Sequence, residues 1–193
     1  MDFDSLYTNI PVKDAIEMMK KLVFQFQNVI QNAHFVIELL EIVLKNSLME
    51  FNKEYFQQIF GIIMGTNLAP ILANLYLAML QEELKKKCKH DDKLKWPCLF
   101  LRFIDDGFGI MEGTKQDVKY WISQFNNLRK TIKIDKWSFG NHVEYMGLYI
   151  YIKGINFILM DFWISEFFKK KSIGTCIFLK KAVTCRTQLK IMC

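Results

Sequence analysis

Cysteine and histidine in ligand-forming patterns are missing from this chain. Its five cysteines (Cys88, Cys98, Cys176, Cys185, Cys193) include no Cys-x-x-Cys pair, and His34, His90 and His142 are scattered. An odd cysteine count without such spacing offers neither a disulfide framework nor a structural zinc site. The expected compartment is therefore reducing and intracellular, nuclear or cytoplasmic. The opening MDFDSLY is acidic and has no apolar core, so a secretory signal is not expected. Gly/Ser-rich linkers, internal repeats and low-complexity tracts are also lacking. Nothing then divides residues 1–165, and 193 residues suffice to bury a sizeable core. With 51% hydrophobic and 15% aromatic residues, the composition excludes a disordered chain.

Residues 1–165 carry no excess of charge, with nineteen basic residues against nineteen acidic. The net charge of +6 therefore resides in a C-terminal tail, 166–193, where Lys169, Lys170, Lys171, Lys180, Lys181, Arg186 and Lys190 oppose Glu166 alone. Such a tail suits a polyanion or an anionic membrane surface, and equally a solvated terminus. One long uncharged run, residues 59–80, has the length of a membrane span and contains Gly61-x-x-x-Gly65. Thr66, Asn67, Pro70 and Asn74 interrupt it. Polar groups are costly in hydrocarbon, and Gly65 with Pro70 instead predicts a loop entering a helix near residue 68. No membrane association is expected.

Apolar spacing and turn residues predict the element order. Residues 2–7 read as the end of a strand, and Pro11 occupies the first turn of a helix over 12–26. A second helix covers 35–45. Two strands flank Asn52-Lys53-Glu54, and a long helix covers 68–87. A hairpin over 99–111 is followed by a helix over 116–128 and by strands near 131–137, 143–152 and 155–162. This is an α+β order, an antiparallel sheet with helices packed on one side.

Within the hairpin, FLRFIDDGFGI (100–110) poses a chemical question. Asp-Gly between alternating apolar residues is by itself a turn signal. Alternate strand residues face opposite sides, so Phe103 and Asp105 share one face and Ile104 and Asp106 the other. Both acids can serve one site only if the chain bends there. Two divalent ions held by carboxylates from separate segments can stabilise the attacking and leaving oxygens of a phosphoryl transfer. Asp2 and Asp4, on one face of the first strand, are the other candidates.

DFDSLYTNIP (2–11), GIIMGTNLAPILANLYLAML (61–80) and FLRFIDDGFGI resemble, in the right order, motifs A, B and C of reverse transcriptases. The SLYTNIP ending and the Phe-Ile-Asp-Asp core are most similar to Penelope-like retroelement polymerases. The resemblance covers roughly residues 1–162, and the tail, 166–193, stays unassigned. It implies a right-hand polymerase palm with fingers and thumb largely missing. The implied reaction is RNA-directed DNA synthesis, adding deoxynucleotides (dNTPs) to the 3′-hydroxyl of a DNA or RNA primer on an RNA template. The implied cofactors are two Mg²⁺ ions, with Mn²⁺ as a substitute.

The resemblance also assigns residues. Asp2, Asp105 and Asp106 become the catalytic, metal-holding acids, with Asp105 the principal motif C ligand and Asp106 its supporting acid. Phe3 and Tyr7 belong to the nucleotide pocket, Tyr7 as a steric gate against a ribose 2′-hydroxyl; Asp4 is a supporting group. Gly65 would let the backbone approach the template–nucleotide pair, and Asn67 would contact nucleotide or template, a helix N-cap being its ordinary alternative. Arg102 would touch nucleic-acid phosphate or, in the ordinary reading, form a surface ion pair. SQFNNLRKTIKID resembles motif D, which offers Lys133 or Lys136 as general acid toward the leaving pyrophosphate. VEYMGLYIYIKG resembles a primer-grip hairpin, with Gly147 where relatives often carry Asp. Because the sequence opens one residue before Asp2, the expectation is a partial enzyme with little activity alone, partnered by fingers and thumb regions of a longer polypeptide. Competing readings are a decayed, non-catalytic nucleic-acid-binding remnant, a primer-templated RNA polymerase and a membrane protein.

Overall fold

The computed structural model describes residues 1–153, 156–160 and 189–192, those beyond 150 through their backbone. The described part of the chain is α+β with antiparallel sheets. It opens with a short strand, β1 (Asp2–Phe3), a one-turn helix α1 (Leu6–Asn9), and the paired helices α2 (Val12–Gln25) and α3 (Ala33–Lys45). The hairpin β2 (Leu48–Phe51) and β3 (Glu54–Gln57) precedes the long helix α4 (Leu68–Cys88). Next come β4 (Leu99–Phe103), β5 (Asp106–Glu112), α5 (Lys115–Asn126), β6 (Ile134–Lys136) and β7 (Phe139–Gly140). The strands β8 (His142–Tyr145), β9 (Leu148–Lys153), β10 (Asn156–Met160) and β11 (Leu189–Met192) complete the order.

The main sheet runs β6-β1-β5-β11-β7, with β4 on the other edge of β5. Strand β5 is its centre and shows why FLRFIDDGFGI alternates as it does. On one face, Met111 joins Phe3 and Ile134 in a core built with α2, α4 and α5. On the other, Phe108 and Ile110 pack with Leu99 and Leu101 against Val143, Tyr145, Leu148 and Ile150 of β8–β9. Helices thus cover one face and a second, three-stranded sheet (β10-β9-β8) covers the other.

Helix α4 supplies the main buried stripe, Ala69, Leu72, Ala73, Tyr76, Leu77, Leu80 and Leu84. That spacing is an amphipathic face turned to a core. No helix among the described residues is long and apolar enough to cross a membrane. The uncharged run at 59–80 is therefore divided between a loop and the first part of α4.

Several expected boundaries shift for identifiable reasons. The strand expected over 2–7 ends at Phe3, because Ser5 adopts a left-handed conformation (φ 43°) and the chain enters α1. The strand expected over 143–152 is two strands joined at Met146-Gly147, whose φ values of 52° and 75° have the signs of a type I′ hairpin turn. The turn in the second hairpin is Asn52-Lys53, also at positive φ, with Glu54 already in β3. All eight residues of β2 and β3 are exposed. Helix α5 begins at Lys115 because Thr114 and Asp117 form a reciprocal capping box. Residues 166–188 of the tail and the ends of the strand expected over 155–162 lie outside the described residues; 189–192 form β11 along β5 and β7.

Candidate active site

The turn between β4 and β5 sets the site. Phe103 pairs with Asp106, so the two-residue loop is Ile104-Asp105. Ile104 takes φ 50°, an outlying conformation for a β-branched residue, costing on the order of 1–3 kcal/mol. Asp106 then starts β5, on the face of Phe108 and Ile110, while Asp105 stays in the turn.

Strand register converts this turn into a row. Asp106 is the antiparallel partner of Asp2, and Asp2 is in turn the partner of Lys136 on β6. Phe103, Asp106, Asp2 and Lys136 therefore lie side by side across β4, β5, β1 and β6, on one face, because directly opposed residues share a face. Two main-chain bonds hold β1 against the turn: Phe3 N–H donates to the Asp105 carbonyl (3.3 Å), and Gly107 N–H to the Met1 carbonyl (2.8 Å). The amino terminus donates to the Gly107 carbonyl at 2.9 Å. Gly107 leaves space for Met1, since an added Cβ would lie 2.7 Å from the Met1 side chain.

Asp2, Asp106 and Lys136 open on a cleft of about 330 Å³, completed by Trp137, Ser138, Glu144, Tyr145 and Met146. Asp106 feels the charges of Asp2 beside it in the cleft and of Asp105 in the turn. The Asp106 carboxyl titrates above its usual range, through partial desolvation first and then the nearby charges of Asp105 and Asp2, partly offset by the terminal ammonium. Lys136 Nζ lies 3.9 Å from Asp2 Oδ2, an exposed and therefore weak ion pair. Among the described residues no three His, Cys, Asp or Glu side chains form a ready metal cage. Asp2 and Asp106 are the paired carboxylates of the cleft that could hold a divalent ion, with water and substrate phosphates completing its shell.

The remaining expected site residues lie elsewhere. Phe3, on the opposite face from Asp2, stacks edge-on against Phe125 in the helix-side core (5.4 Å). Asp4 leaves the strand: its N–H donates to the Lys133 carbonyl, its carboxylate accepts from Ser5 Oγ, and its carbonyl accepts from Asn9 Nδ2. The parity that put Asp4 on the face of Asp2 ends with β1. Tyr7 packs against the helix-side core and is not among the residues lining the cleft. Lys133 donates to the carbonyls of Asn126 and Arg129 at the end of α5, whereas Lys136 stands in the acid row.

The two glycines of the motif B stretch have different surroundings. Gly65 is exposed at φ 95° with open space where a Cβ would stand. Gly61 makes a close approach within the chain: at φ 78°, an added Cβ would meet the Thr8 carbonyl oxygen at 2.5 Å. Ile62 N–H donates to the Tyr7 carbonyl at 2.7 Å, joining the loop before α4 to α1. Asn67 is exposed and forms no side-chain cap; Thr66 Oγ1 accepts from Ala69 N–H instead. Arg102 forms neither a surface ion pair nor an outward contact with its terminal nitrogens. Nη1 donates to Asn74 Oδ1 and to the Ile104 carbonyl, both at 2.7 Å, and Nη2 donates to the Asn74 carbonyl at 2.9 Å. Desolvation lowers the Arg102 pKa from its ordinary value.

Trp137, Glu144 and Tyr145 also line the cleft. The VEYMG stretch, read as a hairpin, was the sequence signal for Glu144 and Tyr145, and no signal pointed to Trp137. Comparisons with protein-family models, curated protein sequences and solved structures gave no match.

Proposed function

We propose that this chain carries the palm of an RNA-directed DNA polymerase of the Penelope-like kind. The observation that carries the reading is the transverse row Phe103–Asp106–Asp2–Lys136. It brings together acids 104 positions apart, each from a stretch that resembles a polymerase motif. Their order along the chain, the antiparallel sheet and the β8–β9 hairpin beside the cleft support the same reading.

In this proposal Asp2 and Asp106 are the carboxylates that hold Mg²⁺, or Mn²⁺ in its place, and Asp105 adds negative charge from the turn. The bound metal would supply Lewis-acid stabilisation of charge on the reacting phosphate oxygens. Lys136 is the better general-acid candidate, because Lys133 is occupied at the end of α5. Trp137 and Tyr145 present aromatic side chains where a primer terminus would reach the cleft.

The test is primer extension on an RNA template, with dNTPs and Mg²⁺, read at single-nucleotide resolution on a polypeptide in which fingers and thumb regions flank this chain. Deoxynucleotide addition should fall about a hundred- to a thousandfold in Asp2→Ala and Asp106→Ala, since charge-stabilising groups in such sites contribute on that scale. Addition at wild-type rate by either variant would refute the proposal. Equal use of ribonucleotides would indicate an RNA polymerase instead.

A further inference from the structure

We infer that Arg102 and Asn74 form a positioning pair that sets the acid turn, a role that rests on the polymerase reading for its consequence but not for its geometry. Arg102 faces the helices, on the opposite side of β4 from Phe103 and the cleft, so it does not belong to the acid row. Its guanidinium spans two elements. One nitrogen bonds both the Asn74 side chain and the Ile104 carbonyl, and the other bonds the Asn74 carbonyl. A rigid planar fork suits this task, because a lysine cannot make the three contacts in one fixed geometry.

The need for such a clamp follows from the turn. Ile104 is β-branched and at φ 50°, a conformation that persists only where the surroundings enforce it. The Arg102 bond to its carbonyl fixes the peptide that leads into Asp105 and Asp106. Asn74 sits on α4 among core residues Ala73 and Tyr76, so the clamp references the acid turn to a helix anchored by a long buried stripe. Charge-assisted bonds of this kind are stronger than neutral ones, and here they are partly buried. The pair thus acts on the carboxylates through the backbone, as groups behind metal ligands commonly do.

The experiment uses the full chain with Arg102→Met, Arg102→Lys, Asn74→Ala and Asn74→Asp, and two readouts. The first is amide hydrogen exchange by NMR at Phe3, whose N–H is bonded to the Asp105 carbonyl and so reports the turn. The second is Mn²⁺ binding followed by the electron paramagnetic resonance signal of the free ion. Arg102→Met should speed exchange at Phe3 about tenfold or more while leaving α4 and α5 amides protected, and weaken Mn²⁺ binding about ten- to a hundredfold. Asn74→Ala should show the same pattern at smaller amplitude. Asn74→Asp, which keeps the acceptor, should retain wild-type behaviour, and Arg102→Lys should recover only part of it. Unchanged exchange at Phe3 in folded Arg102→Met overturns the positioning role. So does Mn²⁺ affinity equal to that of the wild type. A wild-type chain that binds no Mn²⁺ contradicts the polymerase reading instead, and the exchange arm then decides the clamp alone.

Discussion

Replacing Asp14 by alanine removes the centre of a polar network that joins three parts of the helix-side core. The Tyr76 side chain is fully buried, and its hydroxyl donates to Asp14 Oδ2. Burial and the Asp14 carboxylate hold the Tyr76 hydroxyl pKa well above its ordinary value, in accord with a hydroxyl that acts as donor. Arg129 Nε donates to the same oxygen at 2.9 Å, and Arg129 Nη2 lies 3.2 Å from Glu83. In Asp14→Ala the Tyr76 hydroxyl loses its acceptor in the interior, at about 1–3 kcal/mol. Arg129 loses one charge-assisted bond but retains Glu83 and partial contact with water, so its share is smaller. The sum is roughly 2–4 kcal/mol, equivalent to a Tm about 5–15 °C lower for a chain of this size. Urea unfolding of Asp14→Ala, Tyr76→Phe and the double variant separates the terms. Removing the hydroxyl first should reduce the cost of Asp14→Ala by about 1 kcal/mol or more. A cost of Asp14→Ala below about 0.5 kcal/mol, or additivity within about 0.3 kcal/mol, would refute the reasoning.

Further outcomes follow from other contacts. Gly61→Ala should destabilise by at least about 2 kcal/mol in urea unfolding, because the new Cβ would meet Thr8 backbone at positive φ. Met146→Asn should stabilise by about 1 kcal/mol, since Met146 is half exposed and Asn-Gly is the favoured pair for a type I′ turn. Glu41 bonds Lys20 on α2 and Lys45 on its own helix, which hold its carboxyl down to about 2. With its folded pKa below the ordinary 4.5, its stabilising contribution is complete above that pH and is lost as pH falls toward 2. Glu41→Gln should therefore flatten the dependence of Tm on pH in that window and nowhere above it.

Long helices and the central hairpin were legible because their signals are repetitive. The stripe of α4 recurs over five turns, and β5 alternates between two cores. Single residues at positive φ were not legible. Ser5 ended the first strand and Met146 divided a strand in two. Neither is a residue type that announces such a conformation. The bend that both acids require lies at Ile104-Asp105, but which acid it leaves on the strand was not legible: Asp106 rather than Asp105 stands opposite Asp2. Arg102 illustrates a different limit. A positive charge next to an acidic motif suggests phosphate, but its direction depends on strand parity, which turns it toward Asn74. The spacing of Gly61 and Gly65 did not show which one touches backbone; only the position of Thr8 distinguishes them.

The most direct test of the central claim is Mn²⁺ titration of the wild-type chain against Asp2→Ala and Asp106→Ala, monitored by paramagnetic resonance. The row across β1 and β5 predicts a site lost in both variants, although each alters a different strand. Binding that survives either substitution unchanged would contradict the account.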